Sequence, residues 1–255
     1  MKVSVLASGS EGNSTYLETK NHKILIDLGM NVKYIKEKLQ ELDILPEQID
    51  LILITHVHKD HIGALDKFIK KYQPTICLSQ KMFQEIDYIH DYEHIIIYDD
   101  QMVFENLTIE IFKTSHDTSD SRGFVITSGN SSLVYVTDTG YINQKYFKIM
   151  KNKNMYIFES NHDGEMLMNG KYPEWLKKRV VGPKGHLSNR DSSIYLSKLI
   201  GSNTQKIILA HLSKENNTEE EALKTINEVF NEYQIPFNNI ECAKQREKTK
   251  VVTIW

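Results

Sequence analysis

Residues 55–61, THVHKDH, place three histidines and an aspartate within seven positions of a chain that has ten histidines altogether. Imidazole nitrogens and carboxylate oxygens are the donors that suit borderline divalent cations such as zinc, manganese or iron. The apolar run DLILIT leads directly into the cluster. A strand therefore ends at Thr55, and His56, His58, Asp60 and His61 project from the turn beyond it. The bland alternative is a solvated histidine-rich loop, but H-x-H-x-D-H is far more restrictive than a histidine pair. More donors stand in the same context: His116 after LTIEIFKTS, Asp138 after SLVYVT and His211 after QKIILA. Singly these read as a surface histidine, a turn aspartate and a satisfied core histidine. What groups them is their arrival at strand ends, where functional side chains collect.

Other residues have the chemistry to meet a substrate. The segment 177–190, KKRVVGPKGHLSNR, carries Lys177, Lys178, Arg179, Lys184 and Arg190 with no acidic residue, on a chain of net charge −3. A local basic stretch of this kind suits a phosphate backbone, and a solvated helix end is its alternative. SNRD at 188–191 fits a capping box with Ser188 as N-cap, which sets His186 just ahead of free backbone N–H groups. In the small-residue turn SGSEGNS, Ser10, Asn13 and Ser14 are candidate donors to a substrate oxygen, or parts of a plain hairpin connection. ESNHD adds Glu159 and His162 after a further strand.

The elements that must position these groups follow from apolar patterning. KVSVLA, STYLET and HKILIDL read as strands, and NVKYIKEKLQEL as a helix with Val32, Ile35, Leu39 and Leu42 on one side. Two more helices flank TICLS. The strands HIIIY, LTIEIF, GFVITS and SLVYVT follow, the last two joined by a turn at Gly129–Asn130. The final third mixes the strands NMYIFES, QKIILAH and KVVTIW with helices over SNRDSSIYLSKLI and EEEALKTINEVFNEY. Two strand blocks interleaved with helices predict two sheets packed face to face with helices outside. Composition is that of a water-soluble globular protein, with no apolar run of the roughly 20 residues that span a bilayer. Cys77 and Cys242, far apart and beside apolar residues, read as buried thiols of a reducing compartment, so the expected location is cytoplasmic.

In chain order, H-x-H-x-D-H … H … D … H resembles the pattern of metallo-β-lactamase-fold hydrolases over essentially the whole chain. The resemblance implies an α+β fold, a four-layer αββα sandwich, with residues 1–255 as a single domain. It implies that His56, His58 and His116 hold one metal ion, that Asp60, His61 and His211 hold a second, and that Asp138 bridges them. Asp60 counts also among the catalytic groups, and Asp27 of ILIDLG supports the ligands from behind. The cofactors implied are two divalent ions, zinc, manganese or iron, which activate water and polarise the bond under attack. ASGSEGNSTYL, SHDTSDSRGF, VTDTGYI, ESNHD, GHLSN and LAHLSKENN further resemble the bacterial YycJ/WalJ (VicX) group, associated with DNA cleavage including 5′→3′ exonuclease action. Similarity to the tRNase Z and RNase J relatives implies a catalytic His186 oriented by Glu159. Ser10, Asn13, His162 and Lys184 are then the expected substrate contacts. The expected partner is nucleic acid, DNA rather than RNA, with no membrane. The fold hosts many substrates, so a hydrolase of a small thioester, lactone or cyclic phosphodiester is the alternative.

Overall fold

The apolar runs condense into two seven-stranded sheets, in a computed structural model that describes residues 1–255. The first sheet contains β1 (Lys2–Ala7), β2 (Ser14–Glu18), β3 (Lys23–Ile26), β4 (Leu51–Leu53), β5 (Thr75–Leu78) and β6 (Ile95–Ile97). The second contains β7 (Gln101–Phe104), β8 (Leu107–Lys113), β9 (Arg122–Ser128), β10 (Ser131–Val136), β11 (Met155–Glu159), β12 (Lys206–Ala210) and β13 (Ile240–Cys242). The closing strand β14 (Val252–Thr253) returns to the first sheet, antiparallel to β1. In each sheet an antiparallel portion leads into a parallel one, β3 to β6 and β10 to β13. β8 opposes β9 and β9 opposes β10, so β8 points the same way as the parallel strands. The C-terminal ends of one sheet's parallel strands, and of β8, therefore share an edge.

Helices cover the outer faces. α1 (Val32–Gln40), α2 (Lys59–Ile62), α3 (Leu65–Tyr72) and α4 (Gln80–Glu85) accompany the first sheet. α5 (Phe147–Met150), α6 (Gly164–Asn169), α7 (Glu174–Val180), α8 (Asn189–Leu199) and α9 (Glu219–Glu232) accompany the second. Three apolar layers hold the four structural ones together. Val3, Leu17, Ile24 and Leu53 meet Ile109, Phe124 and Ile157 between the sheets. Leu25 and Ile52 pack on Ile35, Leu39 and Phe68 of the first outer layer, while Phe158 and Leu209 pack on Leu196, Ile226 and Phe230 of the other. Each such fully buried side chain contributes about 1.5–3 kcal/mol. This is the αββα sandwich. No helix is long and apolar enough to cross a membrane.

Two strands and, in the second half of the chain, three short helices escape the sequence patterns. β7 is a four-residue edge strand whose Val103 stays 70% exposed, and β13 is only three residues long. α5, α6 and α7 run four to seven residues, too short to show a period. The expected hairpin between β9 and β10 pairs Ser128 with Ser131, and Gly129 takes the left-handed φ of 58° that the turn requires. Both cysteines are free and buried.

Strand alternation decides where the functional side chains begin. In β11, Met155 and Ile157 face the inter-sheet core while Tyr156 and Phe158 face the helices, so Glu159 falls on the inter-sheet side. Continued past β3, β10 and β12, the same alternation would send Asp27, Asp138 and His211 outward. Instead all three adopt positive φ, 61°, 55° and 58°. The left-handed turn stops the strand and re-aims the side chain.

Candidate metal centre

The contiguous cluster sits where β4 gives way to a turn and the single helical turn α2. His56 and His61 are fully buried, and His58 and Asp60 are half-buried. His61 is gripped from behind: its Nδ1 lies 2.7 Å from Asp27 Oδ2, and Asp27 also accepts hydrogen bonds from the Thr55 backbone N–H and hydroxyl, each at 2.8 Å. That contact leaves His61 Nε2 facing Asp138 Oδ2 at 3.1 Å and Asp60 Oδ2 at 3.6 Å. The turn packs so closely on the chain after β3 that a Cβ at Gly29 would sit 1.6 Å from the Asp60 carbonyl oxygen. Glycine is a requirement there.

The second sheet delivers its donors one at a time. His116 Nδ1 lies 3.3 Å from the Gly185 carbonyl, and its Nε2 is 3.7 Å from Asp138 Oδ1. His211 Nδ1 lies 3.4 Å from Asp138 Oδ1, and its backbone N–H donates to the Ser8 hydroxyl at 2.7 Å. The structure thus brings all seven expected donors into one cluster. Four sets have ligand atoms within 4.8 Å of one another: His56, His58 and His116; His56, His61 and Asp138; Asp60, His61 and His211; and Asp138 and His211 with Glu159 and His186. Asp138 touches both sides of the cluster. His56 Nε2 is buried with no hydrogen-bond partner in the protein, and the buried Asp138 Oδ2 has only its 3.1 Å contact with His61 Nε2. Burying such atoms unpaired is costly, and a divalent cation would satisfy both. The residues fit metal ions.

Glu159 organises the same side. Its Oε1 accepts from His186 Nδ1 at 2.8 Å and His211 Nδ1 at 3.0 Å, while Oε2 accepts from the Thr139 and Leu187 backbone N–H groups at 2.9 and 3.2 Å. Burial alone would raise its pKa, but the His186 and His211 contacts outweigh burial and hold it at about 2. His211 is driven to about 9 against its own burial by the Asp138 and Glu159 charges. His56 goes the other way: burial, reinforced by the neighbouring histidines, holds it well below 6.5, the state in which a ring nitrogen is free to bind a metal. His186 has its Nδ1 committed to Glu159, its ring is one-fifth exposed, and it lines the cleft above the cluster. Ser188 caps α8 by accepting from the Asp191 N–H at 3.0 Å, as the SNRD signature predicts.

The cleft has a volume of about 310 Å³. The cluster residues His58, Asp60, His116, Asp138 and His211 all line it. One wall is Tyr172, Leu176, Arg179 and Val180, and the other side carries Ser10, Asn161, Ser213 and Asn216. Of the expected substrate contacts only Ser10 lies in this lining. Asn13 is buried and works as scaffold: its side chain exchanges hydrogen bonds with Gly9, its N–H donates to the Asp60 carbonyl at 2.7 Å, and its amide lies 2.9 Å from His61 Nε2. His162 is also buried, its backbone bridged to Ser188, and burial lowers its pKa to about 4. Lys184 is exposed outside the cleft.

The basic segment does not form one continuous track. Lys177 folds inward to the Met168 carbonyl at 2.6 Å, Arg190 pairs with Glu232 at 3.0 Å, and Arg179 pairs with Asp117. Only Lys178 and Lys184 of the five are exposed without an ion pair. Linear charge counting could not see these partners. It also passed over Asp117, whose Oδ1 lies 3.4 Å from His116 Nε2 and whose one signal was its place directly after that histidine.

This fold with this donor cluster defines a class: the chain belongs to the metallo-β-lactamase superfamily, which residues 8–150 match, and it is a metal-dependent hydrolase. Its curated relatives include exodeoxyribonuclease WalJ of Streptococcus pneumoniae serotype 2, 39% identical over 88% of this chain and 86% of the relative. Exodeoxyribonuclease YycJ of Bacillus anthracis is 33% identical over 90% of this chain and 89% of its own. Among solved structures, the metallo-β-lactamase fold protein YhfI from Bacillus subtilis superimposes with a TM-score of 0.73 at 15% identity, covering 98% of this chain and 99% of that one. That likeness concerns the fold alone.

Proposed function

We propose that this protein is a dinuclear metal-dependent phosphodiesterase that degrades DNA from its ends, in the 5′→3′ direction, in the cytoplasm, with residues 1–255 acting as one unit. The observation that carries the reading is the Glu159–His186 pair, set beside the ligand cluster and open to the cleft. The near full-length similarity to two exodeoxyribonucleases supports it. Two divalent ions held by His56, His58 and His116 and by Asp60, His61 and His211, with Asp138 between, would activate water and neutralise phosphate charge.

The chain's own residues supply the rest. Glu159, ionised at about 2, accepts the Nδ1–H of His186 and so fixes that ring. Its Nε2 is left for the cleft, where it holds and delivers the proton that a deoxyribose oxygen needs as it departs. The second sheet keeps His211 and His186 on one carboxylate, so the ligand and the acid move together.

In the deciding experiment, wild type and His186→Ala hydrolyse end-labelled DNA and an activated aryl phosphodiester. The variant should keep its metals and lose roughly 10²–10⁴-fold on DNA, the range of a general acid. A nitrophenolate leaves without a proton, so the aryl substrate should suffer much less. Equal losses reject the acid role, and metal loss makes His186 a ligand. A wild type that ignores DNA but cleaves an uncharged thioester or lactone overturns the nuclease reading.

A further inference from the structure

Between Glu159 and His186, the two ends of the proposed acid pair, the chain leaves the second sheet and builds the projection α6–α7. α7 is amphipathic in an unusual way. Lys177 and Val180 turn inward, and Leu176 and Arg179 line the cleft with Tyr172 just ahead of them. Trp175 stands one helical turn before Arg179, on the adjoining strip of helix surface, and is 66% exposed. An indole left in water beside a cleft is a large flat apolar surface with no partner inside the chain. Its surroundings are cationic: Lys171, Lys178 and Lys184 are exposed, and Glu174, which pairs with Lys177, is the one acid between residues 170 and 190. Elsewhere in the lining, Ser10, Asn161 and Ser213 offer no aromatic surface.

We infer that Tyr172 and Trp175 form a stacking platform for unpaired nucleobases at the end of the strand entering the cleft, with Arg179 and Lys178 alongside its backbone. The ligand class is single-stranded nucleic acid, a frayed end or an overhang. This rests on the nuclease reading and adds what that reading leaves open. Base–aromatic stacking tolerates every base because each has a π-face, which suits an enzyme that must accept any sequence. In a duplex those faces are covered by neighbouring pairs, so the platform selects strands already opened. Continuity with the cleft sets direction: α7 is followed within six residues by His186, so a base held on α7 delivers its phosphate toward the acid.

The test uses the metal-loaded enzyme and a phosphorothioate oligonucleotide that resists cleavage, alongside an abasic strand of equal length and charge. In a Trp255→Phe background Trp175 is the sole tryptophan. Its emission should be quenched by the base-containing strand and not by the abasic one. Trp175→Ala should weaken binding of the base-containing strand roughly 5–100-fold and that of the abasic strand less than about twofold, with Trp175→Phe restoring most of the loss. Equal quenching by both strands, or equal losses on both, overturns the platform. A wild type that binds both strands equally well overturns it while leaving the nuclease reading intact. A wild type that binds neither overturns both.

Discussion

Asp27 and Glu159 are buried carboxylates at strand ends, one in each sheet, and each holds a histidine Nδ1. Their electrostatics differ. Burial raises Asp27 despite His61 and the two Thr55 hydrogen bonds, whereas Glu159 is pulled to about 2 although it is just as buried. The difference lies in the partners. Asp27 serves one imidazole and one threonine, while Glu159 serves two imidazoles and two backbone N–H groups. Asp27 is therefore a geometric brace whose charge is expensive, and Glu159 is an ionised anchor shared by two imidazoles and two backbone N–H groups. On the function proposed above, the first sheet pre-shapes a ligand and the second couples a ligand to a proton carrier.

The sharpest way to break this comparison is at Asp138, which faces His61 of one region and His211 of the other. If two ions are held as proposed, Asp138→Ala should disturb both, with hydrolysis falling well beyond the roughly 10–100-fold typical of groups behind the ligands. Elemental analysis finding one ion per chain retained would show that Asp138 serves a single position. Next in size come the two carboxylates themselves. Asp27→Asn and Glu159→Gln should each cost about 10–100-fold, but in different ways. Excess metal should rescue Asp27→Asn, whose defect is ligand orientation. It should not rescue Glu159→Gln, which also loses the fixed His186. Full rescue of both would erase the distinction.

The smallest effect is on stability. Buried His162 has a folded pKa near 4 against the usual 6.5, so the unfolded chain binds its proton first as pH falls. Its contribution is fully present above about 6.5 and is lost as pH drops through 4, on the order of 3 kcal/mol. His162→Gln should reduce the difference in urea stability between pH 7 and pH 4.5. An unchanged difference would assign the acid sensitivity to other groups.

The same contrast explains what could be read from the sequence. His56, His58, Asp60 and His61 were legible because covalent neighbours in a turn cannot be far apart in space. His116, Asp138 and His211 were legible only through strand-end context, and their convergence depends on both sheets pointing those ends to one side. Asn13 was misjudged because a small-residue turn looks alike whether it faces substrate or braces Asp60 and His61. How the basic run from Lys177 divides is not legible in the sequence, because the partners of Lys177, Arg179 and Arg190, namely Met168, Asp117 and Glu232, are distant in sequence or invisible to charge counting. The αββα layering was plain from long apolar strands, and α6–α7 was not, since its helices are shorter than the period needed to detect them.

The left-handed turns at Asp27, Asp138 and His211 have a consequence for how the gene can change in length. Asp138 and His211 are expected donors and Asp27 is the brace behind His61, and each is re-aimed from the side that simple alternation would give it. Inserting or deleting one residue within β3, β10 or β12 would shift that phase by half a period, placing an apolar residue (a threonine after β10) in the left-handed position and the functional side chain on the wrong face. Substitution inside these strands is thus limited by packing, but their length is fixed. Length variation has to accumulate elsewhere, in connections such as those before β6 and β7, where no donor is counted off from a strand end.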